Sequence, residues 1–338
     1  MIPKDPVFLG IDTSCYTTSL ALVDGKNRLL AEKRLLLPVK AGTRGLRQSE
    51  GVFYHTLNLP QLMEALSEAL DFPLKERLAA VAASVKPCRR QESYMPVFRT
   101  GEGLAKSLAA AFGVPFIPAT HQEGHLMAAL WSAEEKPPLP FFAYHLSGGT
   151  TELMLVKKIE KKPRYGFDYS IIAGTMDIPA GQLVDRVGVA LGLPFPAGPR
   201  LQELAGELDL AEDSPASPGF SIPTCCREGK ISFSGGEAWA LRALARGDQP
   251  AQIARSIEHY IAASLEKSVL QAASGYEAAG VIFMGGVAAN TYIRRRLRQR
   301  LNRRLPCFFA RQEYSSDNAL GIALIGAETI KALYSDPT

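Results

Sequence analysis

Several features that would assign the chain to a specialised class of protein are missing from it. Its 338 residues include five cysteines, an odd and scattered number without a Cys-x-x-Cys pair, so neither a disulfide framework nor a structural zinc site is indicated. No apolar run reaches the length of a membrane span, and the first residues lack the basic and apolar segments of an export signal. We therefore expect a cytoplasmic protein without a membrane partner.

The chain also lacks a strong excess of charge of either sign. Lys plus Arg number 38 and Asp plus Glu number 34, which gives a formal net charge of +4, too small to indicate a nucleic-acid partner without a local basic patch. Apolar residues make up 46% of the chain and charged residues 21%. This composition excludes disordered and fibrous classes, and the length suffices for two packed lobes.

Two segments share one pattern: an apolar run, a turn rich in hydroxyl or glycine residues, and a second apolar run. They cover residues 7–23 and 141–156. Each pattern predicts a β-hairpin, and the repetition predicts two similar lobes. Helical and strand patterns alternate along the rest of the chain, with a strand predicted over Leu78 to Val85. This alternation indicates the α/β class.

The turn of the second hairpin, Ser147-Gly148-Gly149, is suited to phosphate, because glycine lets backbone N–H groups approach an anion closely. A plain tight turn explains a single Ser-Gly-Gly at least as well. The phosphate interpretation therefore depends on the matching hydroxyl-rich turn that contains Ser14. Paired turns of this kind hold a nucleotide in the fold shared by actin, the heat-shock chaperone ATPases and the sugar kinases, although such a parallel does not define function.

Three of the five histidines lie in one short stretch of the chain. His121 and His125 are four residues apart, so on a helix they share one face and can hold a divalent metal together. Two surface histidines are the alternative, but the additional presence of His145 favours the metal interpretation. The zinc-protease motif is excluded, because it requires Glu directly after the first His and this chain has Gln122 there.

The segment Gly285 to Asn290 follows the predicted strand Val281 to Met284 and opens a helix. Small residues in this position let a ligand lie against the backbone beside the positive end of a helix. Asn290 either caps the helix or binds a nucleoside, and the sequence leaves both interpretations open.

An arginine-rich helix is predicted over residues 293–305. Four apolar residues recur every four positions while arginines fill the remaining faces: Ile293, Leu297, Leu301 and Leu305 against Arg294, Arg295, Arg296, Arg298, Arg300, Arg303 and Arg304. Such a face either contacts RNA phosphates or is a solvated helix surface. A second basic cluster at residues 157–164 has the same two interpretations.

In sequence order, these and further motifs resemble the tRNA threonylcarbamoyladenosine synthases, the TsaD/Gcp family formerly called O-sialoglycoprotein endopeptidases. The resemblance spans nearly the whole chain and rests on the motifs Gly10-Ile-Asp-Thr-Ser-Cys15, His121-x-x-x-His125, Ser147-Gly-Gly149, Gly181-Gln-Leu-Val-Asp185, Gly192-Leu-Pro-Phe-Pro-Ala-Gly-Pro199, Phe233-Ser-Gly235, Gly285 to Asn290 and Ser316-Asp-Asn318. It implies a two-lobed actin-like ATPase fold (ASKHA, sugar-kinase-like) with a nucleotide cleft between the lobes. We expect residues 1–118 and about 306–338 in the first lobe and 119–305 in the second.

The resemblance also implies a function and a set of site residues. Members transfer a threonylcarbamoyl group from its adenylate to an adenosine beside the tRNA anticodon, with a divalent metal, Fe or Zn, and ATP or an acyl-adenylate. The expected metal ligands are His121, His125 and Asp317, joined by His145, which stands where archaeal and eukaryotic members have tyrosine. We assign Ser14 and His145 to catalysis and the nucleotide to Ser147, Gly148, Gly149, Asp185, Gly198, Gly286 and Asn290. The implied partners are tRNA and a smaller protein of the same fold.

Four substitutions separate this chain from the family pattern. Tyr16 and Thr17 replace two acids, Lys86 to Arg90 replaces a glycine-rich loop, Thr150 replaces the histidine of bacterial members, and Glu237 replaces a lysine. The alternatives are therefore a paralogue that acts on a different acceptor and a nucleotide-binding scaffold without catalysis.

Overall fold

The computed structural model describes residues 3–14, 16–39, 46–90, 92–158, 167–208 and 222–334, and every structural statement below concerns these residues. The strands are β1 (Val7–Thr13), β2 (Thr17–Asp24), β3 (Leu29–Leu36), β4 (Leu78–Lys86), β5 (Phe116–Thr120), β6 (Phe141–Leu146), β7 (Thr151–Lys158), β8 (Phe167–Gly174), β9 (Cys225–Arg227), β10 (Lys230–Ser232), β11 (Val281–Met284) and β12 (Cys307–Phe309). The helices are α1 (Gln48–Glu68), α2 (Leu74–Arg77), α3 (Phe98–Phe112), α4 (His121–Ser132), α5 (Ala180–Ala190), α6 (Gly198–Gly206), α7 (Ser234–Ala245), α8 (Pro250–Ala273), α9 (Thr291–Leu301) and α10 (Leu320–Tyr334).

The first sheet has the order β3-β2-β1-β4-β5. Strands β1 and β2 form the expected antiparallel hairpin, and β4 runs parallel to β1 and β5. Every residue of β1 and β2 is buried, because α1 and α3 cover one face of the sheet and α10 covers the other. Burial on both faces explains why these strands read as continuous apolar runs.

The second sheet repeats this arrangement with the order β12-β11-β6-β7-β8. Strands β6 and β7 form the second predicted hairpin, and β11 runs parallel to β6 and β12. Helices α5 to α9 surround the core on this sheet. Strand β12 adds to the second sheet, and the chain then returns to the first sheet through α10.

Helix α4 lies between the two sheets. It contacts α10, β4 and β5 of the first lobe and β6 and β11 of the second. The helix carries His121 and His125, so the fold places this pair at the junction of the lobes.

The arginine-rich helix is shorter than expected. Helix α9 ends at Leu301, whereas the four-residue pattern predicted a helix as far as Leu305. Leu305 is buried but lies in the turn that follows. Pro306 favours an end before Leu305, since proline disfavours helical geometry in the residue before it. The Asn302 side chain stabilises the turn that follows α9, because it accepts a hydrogen bond from the Cys307 N–H at 2.9 Å.

A carboxylate outside the helix caps α7. Asp177 accepts hydrogen bonds from the backbone N–H of Phe233 at 2.8 Å and of Ser234 at 3.2 Å, and from the hydroxyls of Ser232 and Ser234 at 2.6 Å. These bonds satisfy N–H groups that a helix start leaves without partners. Burial alone would raise the pKa of Asp177, but its hydrogen bonds lower the pKa to about 2. The Phe233-Ser-Gly235 motif is therefore fixed by a residue that the sequence does not connect with it.

Candidate active site

Helix α4 begins at the first histidine because a capping box defines its start. The Thr120 hydroxyl accepts from the Glu123 N–H at 3.2 Å, and the Glu123 carboxylate accepts from the Thr120 N–H at 2.7 Å. This reciprocal pair satisfies two N–H groups at the helix start. His121 is thus the first residue of the helix, and His125 lies one turn further along the same face.

The third candidate metal ligand, Asp317, comes from the far end of the chain. Helices α4 and α10 cross with their backbones in contact at Gly124 and Gly321. A Cβ added to Gly321 would lie 2.6 Å from the Gly124 carbonyl carbon and 2.9 Å from its Cα. Asp317 precedes α10 by one short turn and is carried to α4 by this crossing. Its Oδ1 lies 3.3 Å from Nε2 of His125 and 3.6 Å from Nε2 of His121.

These three side chains converge on one point. One ligand atom each from His121, His125 and Asp317 lies within 4.8 Å of the others, and the two Nε2 atoms are 3.1 Å apart. Two imidazole nitrogens and a carboxylate oxygen aimed at each other form a donor set that suits a divalent transition metal.

His145 lies at the edge of this cluster. Its ring centroid is 4.5 Å from that of His125 and 6.3 Å from that of His121. The side chain is only 2% exposed, and neither ring nitrogen has a hydrogen-bond partner in the described part of the chain. Burial, together with the other two imidazoles, lowers the pKa of His145 well below its usual value. A neutral imidazole with buried, unpartnered nitrogens has the form in which histidine binds metals.

Asp12 supports His121 from behind. Its Oδ2 accepts from Nδ1 of His121 at 3.1 Å, and its Oδ1 accepts from the hydroxyl of Ser84. Burial alone would lower the pKa of His121, but Asp12 and then Asp317 raise it to about 9. A carboxylate on the far nitrogen is the usual means of fixing the orientation of a metal-binding histidine.

Ser14 contacts the cluster through its hydroxyl, which donates to Oδ2 of Asp317 at 3.0 Å. The Ser14 carbonyl oxygen lies 2.9 Å from Nε2 of His55, whose Nδ1 lies 2.8 Å from the Thr18 hydroxyl. His55 is completely buried on α1, and burial lowers its pKa. Sequence reasoning missed Asp12, Ser84 and His55 as site residues. An acid within the Gly10 to Cys15 motif was the one available signal for Asp12.

The glycine turn of the second hairpin lies against the start of α5. The Gly181 N–H donates to the Ser147 carbonyl at 3.1 Å, and a Cβ on Gly181 would lie 2.6 Å from the Gly148 nitrogen. Gly149 faces open space, and Gly148 is near Asp185, whose Oδ2 would lie 3.9 Å from an added Cβ. The structure therefore groups Ser147, Gly148, Gly149 and Asp185 in one region.

Asp185 is held by the start of the next helical segment. Its Oδ1 accepts from the Ala197 N–H at 2.8 Å, and burial raises its pKa. Gly198 follows Ala197 directly and begins α6, where an added Cβ would be 4.0 Å from the nearest atom. Close packing therefore does not demand glycine at position 198.

The loop after β11 has two different glycines. Gly285 has a φ of +93°, and a Cβ there would lie 2.8 Å from the Leu146 carbonyl carbon and 3.0 Å from Cδ2 of His145. Glycine at this position therefore lets the loop contact strand β6. Gly286 faces open space. Asn290 caps α9, since its Oδ1 accepts from the Ile293 N–H at 2.9 Å.

The Asn290 amide is also occupied on its nitrogen side. Its Nδ2 donates to Oε1 of Glu258 at 2.6 Å. Glu258 is 1% exposed, and burial raises its pKa to about 7 while Arg255 binds its other oxygen at 2.6 Å. Both ends of the Asn290 side chain are thus engaged, which supports the capping interpretation.

Tyr16 and Glu237, two of the departures from the family pattern, each contact a residue on or just after α5. The rings of Tyr16 and Phe195 contact each other edge to face at 5.8 Å, one from each lobe. They line a small open pocket together with Gly148, Gln182, Asp185, Arg186 and Val189. Glu237 forms a 2.9 Å ion pair with Arg186, so its negative charge is compensated within the second lobe.

The basic surface differs from the expectation in one respect. Arg294 is turned inward, where it donates to the Ala288 and Ala310 carbonyls and to Ser315, so its prediction as a surface arginine was wrong. The exposed arginines of this region are Arg298, Arg300, Arg303 and Arg304. Lys157 and Lys158 are exposed at the end of β7, and Lys161, Lys162 and Arg164 lie outside the described residues.

Two sheets that each begin with a hairpin, joined by helices and facing a common cleft, define the class of the protein: it has the actin-like ATPase fold. Component A of the (R)-2-hydroxyglutaryl-CoA dehydratase of Acidaminococcus fermentans aligns with a TM-score of 0.55 and 17% identity, covering 97% of this chain and 99% of that one. A ROK family glucokinase of Streptomyces griseus, solved with glucose and AMPPNP, gives 0.52 and 14%, covering 96% and 98%. Full-length HypF in its phosphate- and nucleotide-bound form gives 0.57 and 12%, covering 100% of this chain and 48% of HypF. Identities this low show the shared fold alone.

The family is defined by the sequence itself. A sequence model of TsaD, tRNA N6-adenosine threonylcarbamoyltransferase, matches residues 50–324. The chain belongs to this family, which confirms the resemblance of its motifs and assigns it at a coarse level to the carbamoyl-type transferases. None of the helices in the described ranges is long and apolar enough to cross a membrane.

Proposed function

We propose that this protein is a metal-dependent transferase that moves a threonylcarbamoyl group from its adenylate to an amine acceptor, with adenosine beside the tRNA anticodon as the leading acceptor. The convergence of His121, His125 and Asp317 at the junction of the lobes carries the proposal. In the reaction, a C–N bond forms to the acceptor nitrogen while the bond to the AMP phosphate breaks, AMP leaves and the acceptor nitrogen releases a proton.

The residues of the cluster fit a metal ion. Three imidazoles and one carboxylate suit Fe or Zn. The nitrogens of buried His145 have no hydrogen-bond partner among the described residues, and a metal ion would supply one. When bound, a divalent ion polarises an acyl or phosphoryl oxygen. Asp12 orients His121, and Ser14 orients Asp317 through its hydroxyl. Of the two residues assigned to catalysis, His145 then acts as a ligand and Ser14 as a positioning residue.

The nucleotide part of the donor is assigned to the neighbouring turns. The Ser147 N–H closes the turn by donating to the Thr150 carbonyl at 2.8 Å, so the backbone N–H groups assigned to phosphate are those of Gly148 and Gly149. The open space at Gly149 and Gly286 admits a ligand against the backbone. Asp185 lies beside this turn, and Gly198 follows Ala197, whose N–H binds the Asp185 carboxylate; we assign both residues to the nucleoside. Asn290 contributes by fixing the loop that starts at Gly285, since its own amide is engaged.

The proposal is tested by nucleoside analysis of hypomodified tRNA. The purified protein, threonylcarbamoyl-adenylate and the smaller partner of the same fold are incubated with the tRNA, which is then digested and analysed by mass spectrometry. We expect the modified nucleoside to form with the wild type and not with His125→Ala. If a closer family member restores the nucleoside in the same assay and this protein does not, tRNA is not its acceptor.

A second candidate is transfer to another acceptor. The observation that favours it is the contact between Tyr16 and Phe195, which places aromatic rings where the family pattern has an acid at position 16. The same assay decides this candidate when the donor is followed instead of the tRNA. AMP release that depends on an added amine other than tRNA supports it. Nucleotide binding without any product would instead support a non-catalytic scaffold.

A further inference from the structure

The loop at residues 86–90 contacts both α4, the helix that carries His121 and His125, and the second sheet. It stands where the family pattern has a glycine-rich loop, and it carries Arg89 and Arg90. Both arginines contact acidic residues far away in the sequence. We call Arg89, Arg90 and their acceptors Glu123, Glu152 and Asp168 the arginine bridge.

Arg89 joins α4 to β8. Its Nε and Nη2 lie 2.8 Å and 2.6 Å from Oε1 of Glu123 on α4. Its Nη1 lies 3.2 Å from Asp168 on β8, and Nη2 donates to the Phe167 carbonyl at 3.1 Å. The guanidinium also lies 4.4 Å from the ring centre of Tyr169. A planar fork that satisfies several acceptors at once holds its partners in a defined geometry, which a lysine ammonium does not.

Arg90 contacts a carboxylate of β7 that is itself bound by α4. Its Nη2 donates to Oε1 of Glu152 at 2.7 Å, and the Gln122 amide donates to Oε2 of Glu152 at 2.7 Å. Gln122 follows His121 directly on α4. Glu152 is paired with His145 across the β6–β7 hairpin. The bridge therefore acts on both sides of the gap between His145 and the two histidines of α4.

We infer that Arg89 and Arg90 are positioning residues that set the distance between His145 and the His121–His125 pair. The inference rests on the metal centre of the proposed function. Ligand distances around a metal must hold within about 0.2 Å. His145 lies on the second sheet, whereas α10, which directly follows the Asp317 segment, packs on the first. The bridge supplies direct polar contacts across this junction, at the N-terminal turn of α4.

A merely structural role predicts a different result. Exposed ion pairs contribute about 0–1 kcal/mol to stability, and the Arg90 side chain is 62% exposed. Removal of Arg90 should then change stability little, removal of the half-buried Arg89 should change stability more, and neither should change metal affinity. A positioning role predicts a loss of metal affinity that is large compared with the loss of stability.

The experiment measures Co²⁺ binding to the full-length protein. We expect Arg89→Gln with Arg90→Gln to weaken Co²⁺ about 10-fold, the lower end of what is found for residues that orient metal ligands, and to shift the Co²⁺ absorption bands as His145 moves away. When Lys replaces Arg89 in place of Gln, only part of the lost Co²⁺ affinity should be recovered. Arg300→Gln, which removes an exposed pair with Glu266, is the matched control and should leave both readouts unchanged.

A second background separates the positioning role from a general effect on the site. In a His145→Ala protein the arginine substitutions should have no additional effect on Co²⁺ affinity, because the ligand they position is gone. Wild-type affinity and absorption in Arg90→Gln and in the double variant would overturn the inference while leaving the metal centre intact. Failure of the wild type to bind Co²⁺ would overturn the metal centre of the proposed function and the inference with it.

Discussion

A methyl group added at the crossing of α4 and α10 should damage the metal cluster without touching any of its ligands. In Gly321→Ala the new Cβ would lie 2.9 Å from the Cα of Gly124 and 2.6 Å from its carbonyl carbon, whereas ordinary contacts begin at 3.4 Å. The Gly124 carbonyl oxygen would lie closer still to the new Cβ, so the helices must separate by more than about 0.8 Å, several times the tolerance of about 0.2 Å for metal-ligand distances. Asp317 moves with α10 and leaves the histidines of α4.

The same geometry gives the magnitude for stability. Overpacking costs about 1–3 kcal/mol, and a backbone neighbour gives way less easily than a side chain. The cost therefore lies at the upper end of this range, and because the helix propensity of alanine returns at most about 1 kcal/mol, we expect a net loss of about 2 kcal/mol in the free energy of unfolding. Metal affinity should fall by at least about 10-fold, since one ligand is displaced.

Urea unfolding and competitive Zn²⁺ titration measure the two effects. Gly103→Ala is the control, because an added Cβ on that face of α3 meets nothing within 4 Å. It should stabilise the protein by about 0.5–1 kcal/mol and leave Zn²⁺ affinity unchanged. If Gly321→Ala keeps wild-type stability and Zn²⁺ affinity, the close approach of the helices does not hold Asp317 in place.

Three further perturbations address other parts of the molecule. Asp177→Ala should lower the free energy of unfolding by about 1–2 kcal/mol at pH 7; because folding lowers the pKa of this carboxyl to about 2, its stabilisation is complete above its unfolded value of 3.8 and is lost as the pH falls towards 2, so urea titrations of the two proteins should converge in acid. Gly149→Val should abolish ATP binding in calorimetry, since it fills the open space of the turn, and undiminished affinity in the folded variant would make the turn purely structural. Replacement of exposed Arg298 and Arg303 by Gln should weaken tRNA in a filter-binding assay and flatten its salt dependence without changing ATP affinity; equal tRNA affinity would show that this face is merely solvated.

Local patterns were sufficient to predict much of the fold. Both hairpins and the strand β4 follow from apolar runs and turn residues, which act over a few positions. The spacing of His121 and His125 is equally local. The addition of Asp317 to this pair came from the ordered motifs of the family, because no periodicity connects residues so far apart.

What the sequence did not predict depends on contacts over long distances. Arg294 has the same charge and helical setting as its exposed neighbours, and its inward position is decided by carbonyl oxygens of Ala288 and Ala310. Arg89 could be recognised only as a departure from the family pattern, since its acceptors lie 34 and 79 positions away. The interactions of His55 with Ser14 and Thr18 likewise require the tertiary structure.

Metal content is the most direct test of the account as a whole. The wild-type protein and the double variant His125→Ala with Asp317→Ala are purified in parallel without chelators, and Fe and Zn are measured by elemental analysis against protein concentration. We expect about one ion per chain in the wild type and none in the variant, with both proteins folded by circular dichroism. Equal metal content in the two proteins would contradict the assignment of the metal centre to these residues.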